Sequence, residues 1–190
     1  GVLQFVSAPD YETPTDAGAN NVYDVIVQAS AGVGGFDTQA IAVTVSNQND
    51  TPPAITSNGG GASAAFSIAE NGSIATTVVA NDPDPGAVLT YSIIGGVDAA
   101  RFTINATTGV LSFVSTPDFE SPADTGSNNV YDVIVEVSDG TYTDSQTIAV
   151  TITNQNEAPV ITSNGGGTTA SVSVSENTRD VTTVPATEPD

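Results

Sequence analysis

The stretch VYDVIVEVS, residues 130–138, places Tyr131, Val133, Val135 and Val137 on one side of an extended chain and Asp132, Ile134 and Glu136 on the other. A period of two belongs to a β-strand with one buried face, because successive side chains of an extended backbone point to opposite sides. Outward from it the same alternation recurs in FSIAE (66–70), ATTVVAND (75–82), VLTYSI (88–93), RFTIN (101–105), GVLSFV (109–114) and SQTIAVTIT (145–153). Each is bounded by the Gly, Pro, Asn or Asp of turn chemistry, and no stretch carries a helical period. Seven short strands in about 107 residues predict an all-β domain, a Greek-key β-sandwich whose core is the inward faces of those strands.

The pattern repeats. GVLQFVSAPDYE (1–12) matches GVLSFVSTPDFE (109–120), and NNVYDVIVQAS (20–30) matches NNVYDVIVEVS (128–138), both at an offset of 108. TQAIAVTVSNQND (38–50) matches SQTIAVTITNQNE (145–157) at 107, and AITSNGGG (54–61) matches VITSNGGG (160–167) at 106. AEN (69–71) is mirrored by SEN (175–177). Residues 52–157 therefore read as one whole repeat, 1–51 as the later part of a preceding one and 158–190 as the first part of a following one. The stretch 85–108 has no counterpart in either flank. The chain reads as a piece of a longer tandem array; the sharper alternative is that terminal segments of neighbouring copies complement each other.

The chain carries 22 acidic and 2 basic residues, a formal charge of −20, which excludes nucleic acid and anionic membrane as electrostatic partners and favours cations. It has no cysteine and no histidine, which removes thiol chemistry, the usual zinc ligands and every Ser-His or Cys-His arrangement. No apolar run is long enough to span a membrane, so no direct insertion is expected in this segment.

Many of the acids fall in turns and at strand ends: Glu70, Asp82, Asp84, Asp118, Glu120, Asp139 and Glu157. Asp82/Asp84 and Asp118/Glu120 are spaced i, i+2, which in extended backbone would set both carboxylates on one side, roughly 7 Å apart. Such clusters suit calcium, a hard ion that takes six to eight oxygen ligands with loose geometry; magnesium wants a tighter octahedron and zinc wants nitrogen or sulfur.

The ordered set AEN, DPD, LTYSI, RFTINATTGVLSF, PDFE, YDVIVEVSDG and NQNEAP resembles a cadherin repeat, particularly the cadherin-like modules of large bacterial surface proteins. The resemblance covers essentially the whole chain. It implies an immunoglobulin-like sandwich and calcium held between consecutive repeats. The first junction would then use Asp10, Glu12, Asn47, Asn49 and Asp50 with Asp82, Asp84 and Asp139 of the next repeat; its base glutamate has no counterpart among residues 1–51. The second would use Glu70, Asp118, Glu120, Asn154, Asn156 and Glu157, with Glu188 and Asp190 standing where Asp82 and Asp84 stand one repeat earlier. The linker is one residue shorter than the animal pattern and begins with Asn in place of Asp, Ala31 replaces the aspartate at the position of Asp139, and Glu188 for Asp adds a methylene. Two ions per junction are expected.

Other motifs have plainer readings. SNGGG (57–61, 163–167) lacks the lysine of a phosphate loop and reads as a turn. The sequons at Asn49, Asn71 and Asn105 read as chance in a bacterial chain. Tyr91, Phe102, Phe113 and Tyr131 fall on strands and read as core, and repetition argues against a glycosidase carboxylate pair. The expected protein is non-enzymatic: a calcium-stiffened repeat of an extracellular bacterial adhesin, its partners being calcium and neighbouring repeats. The alternatives are a filament or sheath subunit with homotypic assembly, and a module for surface polysaccharide.

Overall fold

The computed structural model describes residues 1–188 and residue 190. The chain begins with a hairpin of β1 (Val22–Ser30) and β2 (Phe36–Thr44), paired from Val22↔Thr44 to Ser30↔Phe36. A sandwich follows, built from β3 (Ala54–Ile55), β4 (Ser63–Ala69), β5 (Ile74–Thr77), β6 (Ala80–Asn81), β7 (Thr90–Gly95), β8 (Phe102–Ile104), β9 (Val110–Phe113), β10 (Val130–Ser138) and β11 (Thr143–Thr153). Beyond it β12 (Val160–Ile161) pairs with β13 (Ala186–Thr187). Helical geometry among the described residues is limited to three-residue 3-10 turns.

One sheet has the order β4-β11-β10-β7, with β4 parallel to β11 from Ser63↔Thr147 to Ala69↔Thr153 and the other pairs antiparallel. The facing sheet is β5-β9-β8, and β3 pairs with β6 beside it. The strand expected over 75–82 is divided at Val78 and Val79. There the Val78 amide donates to the Gly109 carbonyl at 2.8 Å, while the Val79 carbonyl accepts from Thr56 at 2.8 Å and Ser57 at 3.2 Å. The chain thereby passes from pairing with β9 to pairing with β3. Counting β3/β4 and β5/β6 as one strand each gives the seven expected.

Alternation decides the core. On β10 the residues Tyr131, Val133, Val135 and Val137 are buried and their neighbours are not. Tyr131 packs edge-on against Phe113, with ring centroids 5.2 Å apart, and its hydroxyl accepts from the Ala123 amide at 3.0 Å. Burying such side chains stabilises the fold by about 1.5–3 kcal/mol each. The SNGGG turn closes one end with a buried polar plug. Gln146 donates to the Gly61 carbonyl at 2.8 Å and accepts from Asn58, which in turn accepts from Thr76 at 3.1 Å. Asn58 and Gly60 sit in left-handed backbone, φ 53° and 66°, so this is a turn, as its sequence indicates. Every residue of the buried apolar core lies between Ile55 and Ile152.

Candidate metal centre

Two groups of carboxylates converge beside the linkers. In the first, Glu12, Asp50 and Asp84 each present an oxygen, all within 4.8 Å of one another. Glu12 lies in a bend upstream of β1, Asp50 in the linker after β2, and Asp84 in the turn after β6. Asp84 is only 3% exposed, and its Oδ2 accepts from the amides of Asp50 at 3.2 Å and Thr51 at 2.9 Å. The Asp84 amide donates to Asp82 Oδ1 at 2.9 Å, and Asp139 Oδ1 accepts from Thr141 and Tyr142 at 2.6 and 2.7 Å. What these bonds leave over is Glu12 Oε1, Asn49 Oδ1, Asp82 Oδ2, Asp84 Oδ1 and Asp139 Oδ2, all buried and without a partner.

The electrostatics match this crowding. Burial, followed by the carboxylates of Asp84 and Asp50, pushes Glu12 above its ordinary value. Burial pushes Asp139 upward too, but the amides of Tyr142 and Thr141 outweigh it and leave that carboxyl below the usual range.

In the second group Glu70, Asp118 and Glu120 lie within the same 4.8 Å. Glu70, 2% exposed, spends both oxygens on backbone, accepting from Phe119 at 2.7 Å and Gln155 at 2.8 Å. Burial, then the charges of Glu70, Glu157 and Asp118, raises Glu120. Asn154 donates to Glu120 Oε1 at 2.9 Å, and the Glu157 amide donates to Asp190 Oδ2 at 2.9 Å, the counterpart of the Asp50–Asp84 bond.

Not every expected residue joins these groups. Asp10 is exposed and outside the first group, whereas its counterpart Asp118 belongs to the second. The side chain of Thr13, and then the amides of Thr13 at 3.1 Å and Glu12 at 2.9 Å that donate to Asp10 Oδ1, lower its pKa, and the two amide bonds hold the bend carrying Glu12. Asn47 donates to the Pro85 carbonyl at 3.2 Å, and Asn156 donates to the carbonyl of Glu157 at 2.9 Å. Glu188 is exposed and belongs to neither group.

The extended geometry expected of the i, i+2 pairs gives way to bends. In Asp82/Asp84 the first carboxylate captures the amide of the second at 2.9 Å, and in Asp118/Glu120 the Asp118 carboxylate reaches past Glu120 to the amide of Ser121 at 2.9 Å, as aspartates in turns do. Asn71, read from the sequence only as a chance sequon, belongs to the second group: its side chain donates to Glu157 Oε1 at 2.8 Å and aims that carboxylate. The recurrence of Glu-Asn at 70–71 and 176–177 was the signal for it. Two further acids are buried but satisfied, Asp98 by the amides of Thr125 and of Asp132 on β10 and Asp124 by those of Asn128 and Asn129, so they brace the fold.

The family model described as the cadherin domain matches residues 64–153. This chain carries a cadherin domain. The family is one of extracellular adhesion-type repeats rather than enzymes, and cadherin domains in general bind calcium. Human Protocadherin Fat 1 is 28% identical over 155 residues, covering 78% of this chain but 3% of its own length. Halomucin of Haloquadratum walsbyi is 53% identical over 34 residues, 18% of this chain and, to the nearest per cent, 0% of that one. The mouse Cadherin-23 EC22-24 structure superposes with a TM-score of 0.59 at 21% identity, covering 97% of this chain and 57% of that one, and shows the shared fold.

Proposed function

We propose that this chain is a stretch of tandem cadherin repeats, 1–51, 52–157 and 158–190, in a bacterial cell-surface adhesin, and that calcium at its junctions stiffens the array. The observation that carries the reading is the set of five buried, unpartnered oxygens contributed by Glu12, Asn49, Asp82, Asp84 and Asp139. Buried polar oxygens without partners are costly, and an all-oxygen, acid-rich donor set from separate stretches of chain suits a hard divalent cation.

Glu12, Asn49, Asp50, Asp82, Asp84 and Asp139 would hold calcium at the first junction; Asp118, Glu120, Glu157 and Asp190, with Glu70 beneath them, would do so at the second. The ion supplies positive charge where acids from either side of a linker meet. Without it, Glu12, Asp50 and Asp84 repel one another and the connector bends. With it, the same residues tie the linker to both neighbours, so the array behaves as a rod. The match to Halomucin supports a surface setting, and the acidic surface suits it. Small-angle scattering in calcium and in chelator tests the mechanism: calcium should lengthen the particle, and superimposable curves would refute the rod.

A further inference from the structure

We propose that Asn71 is a self-modifying site: its side-chain amide converts, without an enzyme, to a carboxylate as aspartate or isoaspartate, and so adds an acid to the second group. Asn71 is followed by Gly72, which has no side chain to shield its amide nitrogen. That nitrogen attacks Cγ of Asn71, the new N–C bond closes a succinimide ring, and the side-chain nitrogen leaves with the Gly72 amide proton as ammonia. Water then opens the ring. Opening at one carbonyl gives aspartate, opening at the other carries the backbone through Cγ as isoaspartate, and either product bears one new carboxylate. Water is the only co-reactant.

Asn-Gly pairs stand at 58–59, 71–72 and 164–165, and the structure sets the middle one apart. Asn58 is held at both ends of its amide, donating to Gln146 at 3.3 Å and accepting from Thr76 at 3.1 Å, while Asn164 accepts from Thr182 at 3.3 Å. Gly59 and Gly165 lie at φ 90° and 93°, so those turns need glycine for their backbone. Gly72 is outside the left-handed region, and a Cβ added there would meet only the Ala69 carbonyl oxygen at 3.6 Å, an ordinary contact. The fold therefore does not require glycine at 72. Asn71 is exposed, and among the described residues its Oδ1 meets no donor and the Gly72 amide meets no acceptor, so neither reacting group is tied down.

The place of Asn71 gives the conversion its effect. Its Nδ2 donates to Glu157 Oε1 at 2.8 Å, which spends an oxygen of the linker acid on a neutral partner. Conversion removes that donor and sets a second carboxylate against Glu157. The two acids repel in the metal-free chain, and a hard divalent cation relieves the repulsion while gaining an oxygen ligand. The second junction thereby moves with time toward the steeper calcium dependence of the first.

The modification rests on the chemistry of the chain itself. Only its effect on calcium rests on the calcium reading, and separate measurements read the two. The full chain, incubated in chelator and followed by peptide mass mapping, should convert Asn71 at least tenfold faster than Asn58, with isoaspartate detected at the same position. Gly72→Ala should slow that conversion at least tenfold and leave Tm unchanged, since the added methyl fits. Conversion of Asn71 no faster than that of Asn58, or a rate indifferent to Gly72→Ala, would overturn the proposal. Titration calorimetry with calcium alone then compares fresh and aged chain. Affinity at the second junction should rise several-fold with the converted fraction, while Gly72→Ala, aged alike, keeps its fresh value. Equal affinity before and after conversion would overturn the role given to the new carboxylate; a fresh chain that binds no calcium would refute the calcium reading and leave the conversion standing.

Discussion

The two acidic groups come from nearly the same sequence and differ in what their oxygens do. At the second, Glu70 is buried with both oxygens engaged by backbone amides, so part of the group is structural before any ion arrives. At the first, five buried oxygens have no partner. A carboxylate that binds backbone stabilises the fold by itself, whereas one left bare is costly until a cation neutralises it. The first junction should therefore depend more steeply on calcium, and the second should carry more of the stability that persists without it.

The largest effect expected is that of chelator. A site saturated a hundredfold above its Kd contributes about 2.7 kcal/mol, so removing calcium should lower Tm by at least about 10 °C, read by calorimetry. An unchanged Tm would mean the bare oxygens tolerate their burial.

Next comes a pair of variants that separates the two groups. Glu70→Gln can satisfy only one of its two amides with its single carbonyl, so it should cost about 1–3 kcal/mol of stability even in chelator. Asp84→Asn keeps a carbonyl oxygen for the amides of Asp50 and Thr51, so chelator-treated stability should change little. Calcium affinity at the first junction should fall at least tenfold, which titration calorimetry measures. If both variants lost stability equally in chelator, the contrast between the groups would be wrong.

How much of this was legible in the sequence depended on how local the signal was. The strands of the sandwich followed from alternation, and β10 buries the face its period assigns. The break in 75–82 was not legible, because Val78 and Val79 are good strand residues and the partner change is imposed by Gly109 and Thr56 from elsewhere in the chain. The acidic motifs were legible from their recurrence in the repeat, while which of them converge came from the resemblance to a cadherin repeat. Their division of labour was not legible. Whether Asp10 enters the group or braces a bend depends on which amide its carboxylate captures, and that is decided by backbone geometry that neither spacing nor charge encodes.

A smaller difference should separate Asp10 from Asp118. Asp118→Asn should weaken calcium at the second junction several-fold, while Asp10→Asn should leave affinity at the first within about twofold, since Asn can keep the bend. Equal losses would place Asp10 among the ligands.

The smallest effect is on pH dependence in chelator. Glu12 and Glu120 hold a proton more tightly folded than unfolded, their pKa raised above 4.5, so each adds stability as pH falls through the raised value. Asp10, Asp16, Asp98 and Asp139, lowered from 3.8, contribute stability above that value and lose it as pH falls through their folded values. Metal-free Tm should therefore rise slightly toward about pH 5 and fall below about pH 4. Calcium should remove the rise by occupying the same oxygens, and a rise that persists in calcium would argue against a shared site.

The central claim, that calcium ties consecutive repeats together through their linkers, is tested most directly by amide hydrogen exchange at Asn49–Thr51 and Gln155–Glu157 with and without the ion. The account predicts at least tenfold slower exchange at both linkers in calcium, more so at the first, while the centres of β10 and β11 stay unchanged. Linker exchange that is equal in calcium and in chelator would contradict it.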